Sequence, residues 1–227
     1  MPKKICIILA RGGSKRIPKK NIRLFHGYPI VSYPIKIAIE SNIFDRVIVS
    51  TDSQRIKDIA EEWGAEVPFL RSHENSVDSA TTMDALRETC EMIGVKSTDY
   101  VLCMYGTSVF STKEDILRGF ELLQEENCKN VFSAIEYSYP IWRSGTIEKN
   151  DYFKMLYPKY VNYNSQDLES VYHDSGQWYW WKASEISADI LNKNTRVIIV
   201  DNFNAHDIDN NRDWQEAEIK YQLKSDE

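Results

Sequence analysis

Five unbroken apolar residues, Ile5-Cys6-Ile7-Ile8-Leu9, run straight into Ala10-Arg11-Gly12-Gly13 near the start of the chain. The run is far shorter than the roughly 20 apolar residues of a membrane span. It also lacks the alternation of a strand with one wet face. It therefore reads as a strand buried on both sides, as in the middle of a parallel sheet. Such a strand needs helices above and below it, and the following sequence offers them. Pro29–Glu40 places Ile30, Tyr33, Ile37 and Ala38 at helical spacing, with Pro34 predicted to kink the first turns. Phe44–Ser50 reads as a second strand, and Gln54–Trp63 as an amphipathic helix closed by Gly64. After a short extended piece, Val67–Leu70, come a helix over Thr82–Ile93 with Gly94 behind it and a third buried strand, Tyr100–Tyr105. Thr112 caps a helix running to about Glu126, with Asp115 three residues on as a near-capping box, and Val131–Ile135 is a fourth strand.

From about 138 to 172 the alternation stops and Tyr, Pro, Asn and Trp dominate. The pattern resumes with Gly176–Trp181, a helix near Ala183–Leu191, a strand at Arg196–Val200 and a last helix from about Arg212 to Leu223. Strand–helix alternation of this kind predicts an α/β fold: a mostly parallel, Rossmann-like sheet with right-handed crossovers and helices on both faces. The 227 residues suit one domain spanning 1–227, with a β-rich arm inserted at about 138–172.

Charge and cysteine usage narrow the function. A formal charge of −6 argues against a nucleic-acid binder that works by broad phosphate neutralisation. Lys3-Lys4 followed by an apolar run resembles a signal peptide, but the run is too brief and no cleavage-like pattern follows. Cys6, Cys90, Cys103 and Cys128 show no metal-ligand spacing, so they read as structural thiols of a cytoplasmic protein with no membrane association.

Ligands of open α/β sheets bind beyond the carboxyl ends of the strands. Three polar clusters fall there: 10–21, Ser50-Thr51-Asp52, and 105–108. In the first, Gly12 and Gly13 let backbone amides approach a ligand, and Arg11, Lys15, Arg16, Lys19 and Lys20 concentrate positive charge in an acidic chain. That combination suits a triphosphate, although the loop matches neither GxxxxGK[ST] nor GxGxxG. In Asp207-Ile208-Asp209 the carboxylates at i and i+2 of an extended segment point the same way, which suits Mg²⁺ bridging carboxylate and phosphate oxygens. The same residues, followed by Asn210, Asn211 and Asp213, also fit the acidic start of a helix, and spacing alone favours that alternative. His173 and Asp174 are adjacent on an extended chain and face opposite sides, so they form no ready dyad. Trp178-Tyr179-Trp180-Trp181 reads mainly as core, and His26, His73 and His206 have no ligand spacing.

Ala10-Arg11-Gly12-Gly13-Ser14-Lys15, then Pro18, Lys20 and Asn21, resemble the first signature of the CMP-sugar synthetases that activate sialic-acid-like nonulosonic acids. Gly27–Ile30, Phe44–Asp52 and Gly64–Pro68 are similar to the same family in order. Ser165–Glu169, Tyr172–Trp180 and Asp207–Asp209 resemble its pseudaminic acid branch, so the likeness covers essentially the whole chain. It implies a reaction between CTP and a free acidic nine-carbon sugar, without nucleic acid or membrane, by a Mg²⁺-dependent homodimer. Arg11, Lys20 and Asp207 would be catalytic, with Asp207 helping to deprotonate the sugar hydroxyl, and Asp207 and Asp209 would hold the metal. Leu9, Ala10, Gly12, Gly13, Ser14, Lys15, Asn21, Ala80 and Thr81 would surround the nucleotide, although helix capping alone also explains Thr81. Tyr105, Thr107, Ser108, Gln166, Asp167, Glu169, His173 and Gln177 would face the sugar, a solvated polar loop being the alternative for several of them. The arm would make the dimer interface. Where the family has Pro-Thr-(Ser/Ala)-Pro, this chain has Gly106-Thr107-Ser108-Val109, which predicts a looser loop. Synthetases for N-acetylneuraminic, legionaminic or Kdo sugars remain as alternatives within the class, and a non-catalytic nucleotide-binding protein outside it.

Overall fold

The computed structural model describes residues 1–186 and 191–225. In chain order the elements are β1 (Lys4–Leu9), the two-residue strands β2 (Leu24–Phe25) and β3 (Tyr28–Pro29), α1 (Ser32–Glu40), β4 (Arg46–Ser50), α2 (Gln54–Glu62), α3 (Thr82–Met92), β5 (Tyr100–Tyr105) and α4 (Lys113–Leu123). Then follow β6 (Asn130–Glu136), β7 (Gly145–Ile147), β8 (Phe153–Met155), β9 (Tyr172–Lys182), β10 (Thr195–Ile199) and α5 (Asn211–Ser225). The central sheet has the order β10-β6-β9-β5-β1-β4. Its pairs are parallel except for β9, which runs antiparallel between β5 and β6. A parallel neighbour needs a crossover, whereas β9 arrives through the long 137–171 excursion and is free to enter from the other end.

Side-chain alternation divides the sheet residues between two cores. Cys6, Ile8, Val49, Leu102, Met104, Trp178 and Trp180 pack with α1, α2 and α4 on one face. Ile5, Ile7, Ile48, Val101, Cys103, Tyr179 and Trp181 pack with Ala85, Leu86 and Cys90 of α3 on the other. The aromatic run of β9 is thus shared between both faces. A third cluster, Ile17, Phe25, Ile30, Val109, Phe110, Ile208 and Trp214, ties the loop after β1 to α5.

Local chemistry accounts for the helix ends. Thr81 and Asp84 form a reciprocal capping box on α3. Thr112 Oγ1 accepts the Asp115 amide at 3.1 Å on α4, which ends at Leu123. Pro34 does not kink α1: the helix starts at Ser32, so the proline lies in the first turn, where its missing N–H removes no helical bond. Val67–Leu70 forms no strand, and Glu66 just before it makes a single bridge to Ile48. Ala183–Glu185 is one 3-10 turn, and residues 187–190 of the helix predicted near Ala183–Leu191 lie outside the described residues.

The feature that shapes the site is a bulge. Phe132 pairs with Tyr179 and Ala134 with Asp174, so on the β6 side Ser175–Trp178 of β9 stand opposite Ser133 alone, while Trp178 keeps its pairing with Met104 of β5. Gly176 turns the chain with φ +67°, and Asp174 closes the loop by accepting the Gly176 amide at 2.8 Å and the Tyr179 hydroxyl at 2.6 Å.

Candidate active site

A cavity of about 690 Å³ opens at the carboxyl ends of β1 and β5. Its walls come from the loop after β1 (Arg11, Arg16, Lys20, Asn21), the approach to α3 (Asp78, Ala80, Thr81), the turn after β5, the β9 bulge, and Asp207 with Asp209.

The loop after β1 is pinned at several points. Ala10 donates its amide to Ser50 C=O at 3.0 Å, and Gly12 donates to Asp52 Oδ1 at 2.7 Å. A side chain at 12 would come within 2.9 Å of Ser53 Cβ, which explains a glycine there. Ile17 is fully buried, and Lys19 takes a left-handed turn (φ 58°) into Lys20–Ile22. Asn21 is buried and donates to Arg11 C=O at 2.8 Å. The second polar cluster, at Ser50-Thr51-Asp52, therefore supports the loop from behind and does not line the cavity.

Charges meet across the cavity. Lys20 Nζ donates to Ile208 C=O at 2.6 Å and lies 4.0 Å from Asp209. Arg16 pairs with Asp209 at 2.8 Å, and Arg11 and Lys15 pair with Asp78 at 2.8 and 2.6 Å. Burial lowers the Lys20 pKa against the opposing pull of Asp209 and Asp207. Burial raises that of Asp207, and the neighbouring Asp209 charge adds to it. Ile208 is wholly buried between the two aspartates and anchors them. The helix-start reading applies instead to Asp213, whose carboxylate takes the amides of Asp209 and Asn210 at 2.8 and 2.9 Å.

Among the described residues no group of three His, Cys, Asp or Glu side chains could hold a metal ion. Two carboxylates at the edge of a cation-rich cavity nevertheless fit a hard ion such as Mg²⁺, which commonly takes one or two carboxylates and completes its shell with phosphate and water oxygens.

Of the residues singled out from sequence, Leu9, Arg11, Lys20, Asn21, Ala80, Thr81, Tyr105, Thr107, His173, Asp207 and Asp209 line this cavity. Gly12, Gly13, Ser14 and Lys15 lie in the loop behind or above it, and the Ala10 side chain is in the core. Several expectations are corrected. Ser108 does not face the cavity: it is fully buried, accepts the Tyr105 amide at 3.1 Å and donates to Gln177 C=O at 2.6 Å. Nor is its loop loose. Ser108 and Val109 donate back to Tyr105 and Thr107 C=O, while Val109 and Phe110 sink into the third core. Gly106 also fits closely, since a Cβ there would reach 2.5 Å from Asn21 Oδ1. Gln177 is buried away from the cavity, donating to His206 C=O at 3.1 Å. Gln166 and Glu169 line a separate hollow of about 330 Å³ at the root of the arm, and Asp167 accepts from Asn164 at 3.0 Å. His173 bonds through Nδ1 to Asp174 C=O at 2.8 Å and packs on Tyr137.

Several cavity residues escaped sequence reasoning. Arg71 is buried, bonds to Ser76 and Ser50, and has its pKa lowered by that burial. No local motif marks it. Asp78 carries no local signal of its own, and Asp174 and Tyr179 stand in the sequence only beside His173 and within the aromatic run. Tyr105 shares a hydrogen bond with Thr82 at 2.9 Å, and burial pushes its pKa up to about 12.

An open α/β sheet with a glycine- and cation-rich loop at the end of its first strand, facing paired aspartates, is the architecture of a nucleotidyltransferase. A solved structure of CMP:2-keto-3-deoxy-manno-octonic acid synthetase complexed with CTP superposes with TM-score 0.73 at 14% identity, covering 98% of this chain and 99% of that one. A 4-diphosphocytidyl-2C-methyl-D-erythritol synthase from Anaerococcus prevotii gives TM-score 0.64 at 15% identity, covering 97% and 99%. At those identities the likeness concerns the fold. The family model described as Cytidylyltransferase matches residues 5–207, and the chain belongs to that family. Among similar proteins, a pseudaminic acid cytidylyltransferase of Campylobacter jejuni is 35% identical over 97% of both chains. The CMP-N,N'-diacetyllegionaminic acid synthase of Legionella pneumophila is 31% identical over 98% of this chain and 97% of its own. The chain is thus an enzyme of the nucleotidyltransferase class.

Proposed function

We propose that the enzyme transfers CMP from CTP to the anomeric hydroxyl of a free nonulosonic acid, namely pseudaminic acid, and releases pyrophosphate. The reading rests on the meeting of Arg11, Lys20, Asp207 and Asp209 at one cavity in a chain 35% identical to a pseudaminic acid cytidylyltransferase. The hydroxyl oxygen bonds to the α-phosphorus, the bond to the β-phosphate oxygen breaks, and pyrophosphate departs with the electron pair. Asp207 takes the hydroxyl proton, a role suited to a carboxylate whose pKa is raised. Arg11 and Lys20 stabilise charge on the phosphates as the transfer proceeds. Asn21 serves the ribose, while Ala80 and Thr81 border the base. Tyr105, Thr107 and His173 border the acceptor sugar. Mg²⁺, held by Asp207 and Asp209, would neutralise phosphate charge.

We read the chain as one catalytic unit whose arm makes a homodimer. Tyr139, Tyr152, Phe153 and Val161 are exposed large hydrophobics on that arm, which supports an interface. Gln166, Asp167 and Glu169 then lie near the interface, where they border the partner's sugar site. Among the described residues no helix is long and apolar enough to cross a membrane, and the four cysteines are free and buried. Free thiols support a cytoplasmic location.

The test is pyrophosphate release from CTP and Mg²⁺ with pseudaminic, N-acetylneuraminic, legionaminic and Kdo acids in parallel. Preference for pseudaminic acid is expected, with a loss of about 100-fold or more in Asp209→Ala. Preference for another acid moves the substrate assignment, and no release with any acid refutes the reaction. Light scattering should report a dimer that Tyr139→Asp with Val161→Asp dissociates; a wild-type monomer refutes the interface.

A further inference from the structure

We propose that Asp78 is an anionic placeholder that occupies the phosphate-binding cations Arg11 and Lys15 until the nucleotide displaces it, and so sets the affinity for phosphate-bearing ligands. The inference rests on the reading of the loop after β1 as the triphosphate site. One Asp78 oxygen faces Arg11 Nη1 at 2.8 Å and the other faces Lys15 Nζ at 2.6 Å. A phosphate group would offer the same two cations the same pair of oxygens. The two cations come from the loop after β1, and Asp78 comes from the segment leading into α3 across the cavity.

The segment does not depend on these pairs for its shape. Upstream, Ser72 and Asn75 are tied to Glu88, and downstream Thr81 is tied to Asp84. The Arg11 and Lys15 side chains have no other hydrogen bond or ion pair among the described residues. All three groups are open to solvent, with side-chain exposures of 37%, 81% and 47% for Arg11, Lys15 and Asp78, so water and ligand exchange there readily. Hydrogen bonds from Lys15 and Arg11 hold the Asp78 pKa below the usual carboxylate range. Arg16 is likewise paired with a carboxylate, that of Asp209, at 2.8 Å. Binding of CTP is then an exchange of anions, and departure of pyrophosphate is assisted by return of the carboxylate.

The experiment is calorimetric titration of CTP, pyrophosphate and cytidine into wild type, Asp78→Asn and Glu74→Gln. Glu74 lies on the same segment and makes no ion pair among the described residues, so it controls for the general field. Asp78→Asn should bind CTP and pyrophosphate roughly three- to tenfold more tightly, the range expected when two solvent-exposed ion pairs no longer compete. Cytidine binding should be unchanged, and Glu74→Gln should stay within about twofold for all three ligands. Equal or weaker CTP binding in Asp78→Asn, tightening of cytidine, or equal tightening in Glu74→Gln overturns the placeholder. If wild type binds and turns over CTP in that case, the phosphate site stands without it. Wild type that binds no CTP overturns both.

Discussion

Replacing Gly176 with alanine tests the bulge that brings β9 against the aspartates. Gly176 has φ +67°, and a left-handed L-residue costs about 1–2 kcal/mol. Alanine also restricts the unfolded chain, which returns roughly 0.4–1 kcal/mol and leaves a net loss of about 1 kcal/mol. A domain of this size should then melt about 2–4 °C lower. The sign is decisive, because at a negative φ the same substitution would stabilise by roughly 0.4–1 kcal/mol. The added Cβ would lie 3.5 Å from Asp207 Cγ, an ordinary contact, so the strain resides in the backbone. Its relief moves the wall against which Asp207 rests, and small misplacements of catalytic groups cost about tenfold to 100-fold in rate. Thermal melts paired with steady-state pyrophosphate release read both effects, and a loss near 1 kcal/mol leaves the population almost wholly folded. A variant at least as stable as wild type refutes the left-handed bulge. A destabilised variant with full kcat refutes its role in placing Asp207.

Asp207→Asn should abolish most activity, by about 100- to 1000-fold, yet make the protein more stable at neutral pH. The folded pKa of Asp207 is raised, so its favourable contribution is complete below the unfolded pKa and is lost as pH rises through the folded one. The ionised carboxylate is therefore a cost near pH 7. The advantage of the variant should shrink as pH falls toward the ordinary aspartate range near ~4. A variant less stable than wild type at pH 7.5 in a denaturant titration contradicts this. Ser108→Ala should cost about 1–3 kcal/mol in urea unfolding, because Tyr105 N–H and Gln177 C=O lose a buried partner. Its KM for the sugar should not change, and a raised sugar KM with unaltered stability would return Ser108 to the cavity wall.

The strands and helices that frame the site were legible because each carries its own signal. Ile5–Leu9 has an unbroken apolar run, α2 closes at Gly64, and Thr81 and Thr112 cap the helices that follow them. The basic loop was legible too, since composition is a local property, whereas Asp207-Ile208-Asp209 stood out only through its likeness to a family motif, because spacing alone favours a helix start. Ser108 and Gln177 misled because a polar side chain near a site looks the same in sequence whether it faces substrate or holds backbone. Only packing shows that each is spent on a carbonyl.

The sequence by itself determined the alternating α/β frame and the glycine- and cation-rich loop after β1, because periodicity, capping and composition act over a few residues. Tertiary structure decided the antiparallel entry of β9, its bulge at Ser175–Trp178, the recruitment of Arg71, and the pairing of Arg11 and Lys15 with Asp78. Those features join residues tens of positions apart. They exist only once the two cores have closed and set which chain ends meet at the rim of the sheet.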